Sequence, residues 1–465
     1  MKIRPFAVLA LGVLLMGYPA TTALLAASGA VVVFNSNDSG PGSFRAAIAR
    51  ANTDRAVTQI QLAGRVSVIA LQQTVNFTGA QSLTIHGNGA VLDGSGIALG
   101  AAFLATGGGD LAISRLTVRN APAEGIDVEV PSSATGTIHV LLSHVEILDN
   151  HGHGVLVNDQ EDPSTVDGVQ PNSNGSAASV FVTVNKSRFA GNGYSVSDRD
   201  GLRVNEGGDG DLAIVVNLTV AADNAADGIE VDERGAGDVL VDVRNTTVVR
   251  NGKFDPDDLD DGFDIDEYDD GSVIGILVSS IANDNYEEGL DFNENNAGDL
   301  RVYLVNVEAS GNREEGVDYE EDDDFAGGGD LVTIMSHVTT NGNGADGGDA
   351  GLKIREKGVG HLDATLLDIE ASGTVIGGVR VREDAEGDLR SRIDRVAARE
   401  NSGRGIDFDE NAAGNLTVRA SASTSLTNGD VDVRADQQAP GTGSFLVRNV
   451  TFATRGGNVP PTVVP

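Results

Sequence analysis

The chain has no cysteine and no tryptophan, only 14 Phe and 6 Tyr in 465 residues, and few basic residues. Without thiols there is no disulfide scaffold, zinc finger, iron–sulfur site or cysteine nucleophile. With so few large rings, Val, Leu, Ile and Ala must fill the interior. A globular core of two or three domains normally draws on more large side chains, whereas a narrow core stacked from small layers does not need them. Lys+Arg number 32 against 69 Asp+Glu, a formal net charge of −37. That field repels phosphate backbones, so nucleic acid is excluded as a partner and divalent cations are favoured. The 40% of hydrophobic residues is too much for a disordered acidic tail.

Long apolar runs are confined to the N-terminus. Lys2 and Arg4 precede an apolar run from Phe6 to Met16, and small residues follow at Ala20, Ala23, Ala26 and Ala27. This predicts a signal peptide over 1–30 and an exported protein, secreted, at the cell surface or periplasmic. No other stretch approaches the ~18 apolar residues of a spanning helix, so no integral membrane span is expected in the mature chain.

What is abundant is repetition. A phrase of the form Gly-apolar-x-apolar-x-Glu recurs as GLRVNE (201–206), GIEVDE (228–233), GFDIDE (262–267), GLDFNE (289–294), GVDYEE (316–321), GLKIRE (351–356), GVRVRE (378–383) and GIDFDE (405–410). Successive glutamates are 27, 34, 27, 27, 35, 27 and 27 residues apart. Degraded copies stand at 125–130 (GIDVEV) and 154–159 (GVLVND). The alternation is the period-2 signature of a strand with one buried face. A second alternating run follows each phrase, and a third, weaker stretch ends in Asn224, Asn251, Asn285, Asn312, Asn401 or Asn428. Three short strands and three turns per 27 residues describe one coil of a parallel β-helix, with Gly expected at the corners and the asparagines forming an internal ladder. A coil cannot bury its own inward face, so coils must stack.

DSGPGSFRAAIARAN (38–52) is the one clear helix signal, with Ser43 as N-cap. It resembles the GSLRxAIxxAN motif that opens many secreted bacterial right-handed parallel β-helix proteins, with Phe44 in place of Leu. LTIHGNGAVLDGSG (83–96) likewise looks like a first coil of the pectate-lyase-like superfamily. The resemblance implies an all-β, right-handed parallel β-helix with three-strand coils and a short N-terminal capping helix. Handedness also follows the general rule for parallel crossovers. The expected layout is a cap over 31–64, about 14 coils over 65–450 and a tail over 451–465. The superfamily hosts lyases, hydrolases, epimerases and inert stalks, so activity does not follow from it.

In the repeated phrase the third and fifth residues point outward, and stacking makes columns of them ~4.8 Å apart. The third-position column reads Arg203, Glu230, Asp264, Asp291, Asp318, Lys353, Arg380, Asp407; the fifth reads Asn205, Asp232, Asp266, Asn293, Glu320, Arg355, Arg382, Asp409. The terminal glutamates form a third column, and the whole is expected as an exposed acidic face. Stacked like charges repel by roughly 0.9 kcal/mol per neighbouring pair even in water. Such a face suits Ca²⁺, a hard cation taking six to eight oxygens; the alternative is a solvated acidic surface that serves solubility or adaptation to high salt. The candidate ligands are Asp232, Asp264, Asp266, Asp291, Asp318 and Glu320, with the insertion DPDDLDDG (255–262) folding over them. An EF-hand does not fit, because Leu259 and Tyr268 stand where acids belong.

The column then turns cationic at Lys353 and Arg380. The resemblance implies that a patch of this kind binds acidic polysaccharide, with calcium bridging the substrate and Lys353 or Arg380 as base in an enzyme; a carboxylate pair such as Asp264 and Asp291 would serve a hydrolase. The plainer reading makes Glu320–Arg355 and Arg382–Asp409 register-fixing cross-strand pairs. His151 and His153 read as a solvated turn. Insertions at 159–177, 254–260 and 341–350 are expected to leave from one edge and wall a groove. The leading functional expectation is a binding protein for polysaccharide or a cell-surface component. The alternative is a polysaccharide lyase, hydrolase or epimerase.

Overall fold

Every repeated phrase forms a short strand, and these strands stack in parallel into a 14-stranded sheet from Val75–Phe77 to Arg455–Gly456. The second and third runs build a 25-stranded sheet around the rest of each coil. This computed structural model describes residues 29–159, 175–195, 197–256, 259–322, 328–438 and 440–464. The expected signal peptide therefore lies almost wholly outside the described residues. No helix among the described residues is long and apolar enough to cross a membrane. The chain is an all-β parallel β-helix with one short helix among the described residues, as the 27-residue interval predicts.

Register is in phase from coil to coil: Ile229 pairs with Phe263, Phe263 with Leu290, Leu290 with Val317 and Val317 with Leu352. Inward positions are therefore columns of apolar side chains. Phe263, Phe292, Tyr319 and Phe408 are all buried in the core, and Phe292 meets Tyr319 edge to face with centroids 5.3 Å apart. A slip of one residue would turn this whole face outward.

The asparagines form the expected internal ladder. Asn251 Nδ2 donates to Asn285 Oδ1 (3.0 Å) and Asn285 Nδ2 to Asn312 Oδ1 (3.1 Å). Asn150, Asn192 and Asn343 extend the column, and at one coil Thr374 takes the place, its hydroxyl donating to Asn401 Oδ1 (2.8 Å).

Glycine, by contrast, is not the main corner residue. Between the second and third strands of each coil the left-handed backbone falls on Lys186, Leu218, Asn245, Ser279, Asn306, His337, Asp368, Arg395, Ala422 and Asn449. One residue in this conformation bends the strand, and the stack holds it: Leu218 N–H donates to Arg244 O and Asn245 N–H to Val278 O. The strain is supported by the neighbouring coils, which is why composition alone misplaced it.

At the N-terminal end Ser43 caps helix Phe44–Thr53, accepting from Ala46 N–H (3.2 Å), and Phe44, Ala47, Ile48 and Ala51 face the first coils. Ala30–Val33 pairs with Gln59–Leu62. Residues 451–463 add short strands that continue both sheets.

Candidate metal centre

The outward columns are in register as expected, from Arg203 through Glu230, Asp264, Asp291 and Asp318 to Lys353. The expectation of an exposed acidic face fails, however. Glu206, Glu233, Glu267, Glu294, Glu321, Glu356, Glu383 and Glu410 are all 0% exposed, and Glu230 and Asp318 only 3% and 5%. Alternation said which way the side chains point, but the corners of the coil cover them.

A further acidic column, which the phrase-based reading did not isolate, explains part of that cover. The residue immediately before the repeated Gly is Asp200, Asp227, Asp261, Glu288 and Glu315 in successive coils. Each forms a rung. Asp200 Oδ1 accepts the N–H of Asp227 (3.0 Å), Asp227 Oδ1 that of Asp261 (2.5 Å), and Asp261 Oδ1 that of Glu288 (2.6 Å). Glu315 Oε1 accepts from Asp349 N–H (2.6 Å). One carboxylate oxygen is committed to the backbone and the other is left toward the outward column. The sequence signal was available, since these acids recur at the intervals of the glutamates; only Asp261 fell within the insertion singled out as a source of ligands.

The two columns interlock. Asp227, Glu230 and Asp264 bring carboxylate oxygens within 4.8 Å of one another, as do Asp261, Asp264 and Asp291, and again Glu288, Glu315 and Asp318. Asp198, Asp200 and Glu230 make a further such group. The result is a row of carboxylate triads along one corner of the helix.

Both ends of the row are closed by cations, Arg203 buried and Lys353 half-buried. Arg203 reaches Glu230 (2.6 Å), Asp232 (2.9 Å) and Asp198 (2.5 Å); Lys353 reaches Asp318 and Glu320, each at 2.6 Å. The middle is not closed. Asp264 and Asp291 have no ion pair among the described residues, and the buried Oδ1 of each accepts no hydrogen bond; the same holds for Asp318 Oδ1 and Glu230 Oε2. Burial, then the neighbouring carboxylates, push Asp264, Asp291, Asp261 and Glu288 well above the usual carboxylate range. Orphaned anionic oxygens at this spacing are the donor set of a hard divalent cation. Calcium fits these residues.

Of the six sequence-derived candidates, Asp264, Asp291 and Asp318 meet in the row. Asp232 is instead held by Arg203 and Arg234, Asp266 accepts from the Tyr268 hydroxyl (2.6 Å), and Glu320 lies among Lys353, Lys357 and Arg355. In the insertion 255–262, residues 257 and 258 lie outside the described residues. Lys353 is desolvated, which lowers its affinity for a proton, but Asp318 and Glu320 outweigh this and hold it well above the usual lysine range. Arg380 bonds Asp349 (2.7 Å) and lines a cleft of about 330 Å³ with Arg404, Asp407 and Asp430.

Three further expectations are corrected. Arg382 pairs with Asp384 of the following turn rather than with Asp409, whose partner is Arg434 (2.6 Å). His153 is no solvated residue: it is 4% exposed and its Nδ1 accepts from Asp200 N–H (3.0 Å), which makes it a rung of the same column as Asp200. The insertions do not share one edge either. The segment after Asp159 leaves the C-terminal end of a repeated strand, whereas 254–260 and 341–350 precede one; residues 160–174 lie outside the described residues.

No family model and no curated protein matches the chain. Among solved structures it is similar to a pectate lyase, Pel9A (TM-score 0.43, 17% identity, 70% of this chain and 80% of that one). It is also similar to a periplasmic alginate epimerase, AlgG (0.39, 12%, 80% and 77%). A third is the A-module of the mannuronan C-5 epimerase AlgE6 of Azotobacter vinelandii (0.37, 13%, 92% and 100%). Likeness at this level accompanies the coil architecture and says nothing of activity.

Proposed function

We propose that this is an exported β-helix binding protein in which calcium occupies the carboxylate row, and that the repeated-strand face contacts an extracellular polysaccharide or a cell-surface component. The observation that carries the reading is the uncompensated middle of the row. Asp264 and Asp291 stand between Arg203 and Lys353 with orphaned buried oxygens, a state that a bound cation relieves. Arg380 stands in the same outward column as Asp264, Asp291 and Asp318 and lines a cleft with Arg404, and arginine donors together with a bound cation are a combination suited to carboxylated sugars. Residues Asp227, Glu230, Asp261, Asp264, Asp291, Glu288, Glu315 and Asp318 would hold the metal.

The binding reading is preferred to the enzymatic one because of Lys353. A base must be neutral before it accepts a proton, and two carboxylates keep this ammonium charged. A glycan array probed with calcium and with chelator tests the proposal. Calcium-dependent retention of acidic glycans without release of unsaturated products or reducing ends supports it. Turnover that disappears in Arg380→Ala would favour a lyase or epimerase, and calcium-independent or absent retention would overturn the binding reading.

A further inference from the structure

The terminal glutamates of the repeated phrase form a second buried acidic column, distinct from the metal row and on the next corner of the coil. Glu206, Glu233, Glu267, Glu294, Glu321, Glu356, Glu383 and Glu410 are each 0% exposed and in direct register. Each anchors its own turn: Gly208 N–H donates to Glu206 (3.0 Å), Gly235 to Glu233 (2.9 Å), Asp269 to Glu267 (2.9 Å), Ala385 to Glu383 (2.9 Å). The second oxygen has no N–H or cationic partner in Glu206, Glu233, Glu267, Glu294, Glu321 and Glu383, and in Glu356 neither oxygen has one. Those oxygens meet their counterparts in the coils above and below.

Cations are held away from this column. Arg234, next to Glu233, turns to Asp232, and Lys357, next to Glu356, turns to Glu320 and Asp322. The strongest charged neighbours acting on the column are all carboxyls: its own members, Asp159 at one end, Asp384 and Asp388 at the other. A metal has little room, because the corner backs onto stacked glycine backbone. A Cβ on Gly235, Gly298, Gly387 or Gly414 would stand 1.4–1.5 Å from the carbonyl oxygen of the preceding coil's glycine. One coil beyond Glu410 the column ends in Gln437, whose Oε1 accepts Leu416 N–H and whose Nε2 donates to Gly414 O. The position thus accepts a neutral side chain of glutamate's shape.

We infer that the column is a proton-sharing spine, in which some glutamates, Glu267 and Glu356 among them, are carboxylic acids that donate an O–H to ionised neighbours along the helix axis. Fully ionised, eight charges ~4.8 Å apart in a dry corner would repel far more strongly than in water. With protonated members set beside ionised ones, the orphaned oxygens become donors and acceptors to one another. Burial first, then the neighbouring glutamates, push Glu206 to about 10 and Glu267 to about 12, while Glu233 and Glu383, raised by burial but lowered by hydrogen bonds from the glutamates beside them, reach only about 7. The folded values are raised, so the spine supports the fold in acid and loses that support as pH rises through them. The inference is independent of calcium.

Infrared spectroscopy of the full chain in chelator at pH 7 tests it, comparing wild type with Glu267→Gln and Glu356→Gln. The expected result is loss of protonated-carboxyl C=O absorption in each variant. Loss of ionised-carboxylate absorption instead overturns the spine. Should either variant not fold, thermal unfolding of the wild type in chelator decides: a midpoint that falls from pH 7 to pH 10 supports the spine, and one that is flat or rises overturns it.

Discussion

Lys353 Nζ lies 2.6 Å from Asp318 Oδ2 with 14% of the lysine side chain exposed, and it is the last cation before four consecutive coils of stacked acid. Its ammonium also holds Glu320 (2.6 Å). Lys353→Met therefore leaves Asp318 buried and unpaired. Breaking a buried pair costs about 3–5 kcal/mol; Glu320 keeps Lys357, so a loss near 3 kcal/mol is expected in urea unfolding. Calcium should restore part of that loss, because a cation in the Glu288–Glu315–Asp318 triad supplies the missing charge.

The middle of the row predicts a reversal of sign. In chelator, at a pH high enough to ionise both raised carboxyls, Asp264→Asn with Asp291→Asn removes two facing charges and should stabilise the protein by about 1–2 kcal/mol, the Coulomb energy of such a pair at an intermediate dielectric. In calcium the order inverts. The wild type gains about 2.7 kcal/mol at a concentration 100 times the dissociation constant, and the double variant gains nothing. Unfolding followed with and without calcium checks both halves. A variant that keeps the full calcium response shows that the ion, if bound, sits elsewhere.

Much of this was legible in the chain. A 27-residue interval, alternation within it and a recurrent Asn determine the coils, the register and the ladder without ambiguity, because a slip would expose Val231, Ile265 and Phe292 together. The candidate site was legible by column but not by environment. Alternation places Asp264 and Asp266 on the same outward face, yet only Asp264 meets the acids of the preceding corner, while Asp266 meets Tyr268. Which outward residue turns toward which corner depends on side-chain packing between columns. His153 shows the same limit: its kinship with Asp200 lies in a shared place before the repeated Gly, not in residue type.

The asparagine ladder predicts a graded series. Asn285 Oδ1 accepts both the N–H and the Nδ2 of Asn251 (3.2 and 3.0 Å), and its own Nδ2 donates onward. Asn285→Ala orphans buried groups on two coils and should cost about 3 kcal/mol. Asn285→Thr should cost less, because Thr374 already spans one coil of the same column with its hydroxyl. Equilibrium unfolding of the two variants gives the order.

The C-terminal coil should fray first in acid. Asp432 Oδ2 accepts from Ala453 N–H, Thr454 N–H and the Thr454 hydroxyl, and Oδ1 from Asn428 Nδ2. Burial would raise its affinity for a proton, but these bonds outweigh it and hold the carboxyl below its ordinary value. A depressed folded value contributes stability above the unfolded value of about 3.9 and loses it as pH falls through the folded one. Hydrogen exchange at about pH 3 should open residues 428–463 ahead of the central coils, and Asp432→Asn should produce the same local opening at neutral pH. Uniform exchange along the stack in acid would contradict this.

Leu218 occupies the left-handed bend at φ 52° with 47% of its surface exposed. Its counterparts one, three and eight coils on are Asn245, Asn306 and Asn449. A γ-branched apolar side chain gains nothing in solvent at this bend and bears the steric penalty of Cβ against the following carbonyl, roughly 1–2 kcal/mol for an L-residue. Asparagine bears less of it, because its amide bonds locally, and here Asn217 Nδ2 already donates to Asn185 and Asn245 Nδ2 to Asn217. Leu218→Asn should therefore stabilise the protein by up to about 1 kcal/mol, and Leu218→Gly by less, since glycine also frees the unfolded chain. The bend is imposed by the stack rather than by the residue in it, so neither change should alter the coil geometry; a shift in the far-ultraviolet spectrum of either variant would show that Leu218 itself helps to set the turn.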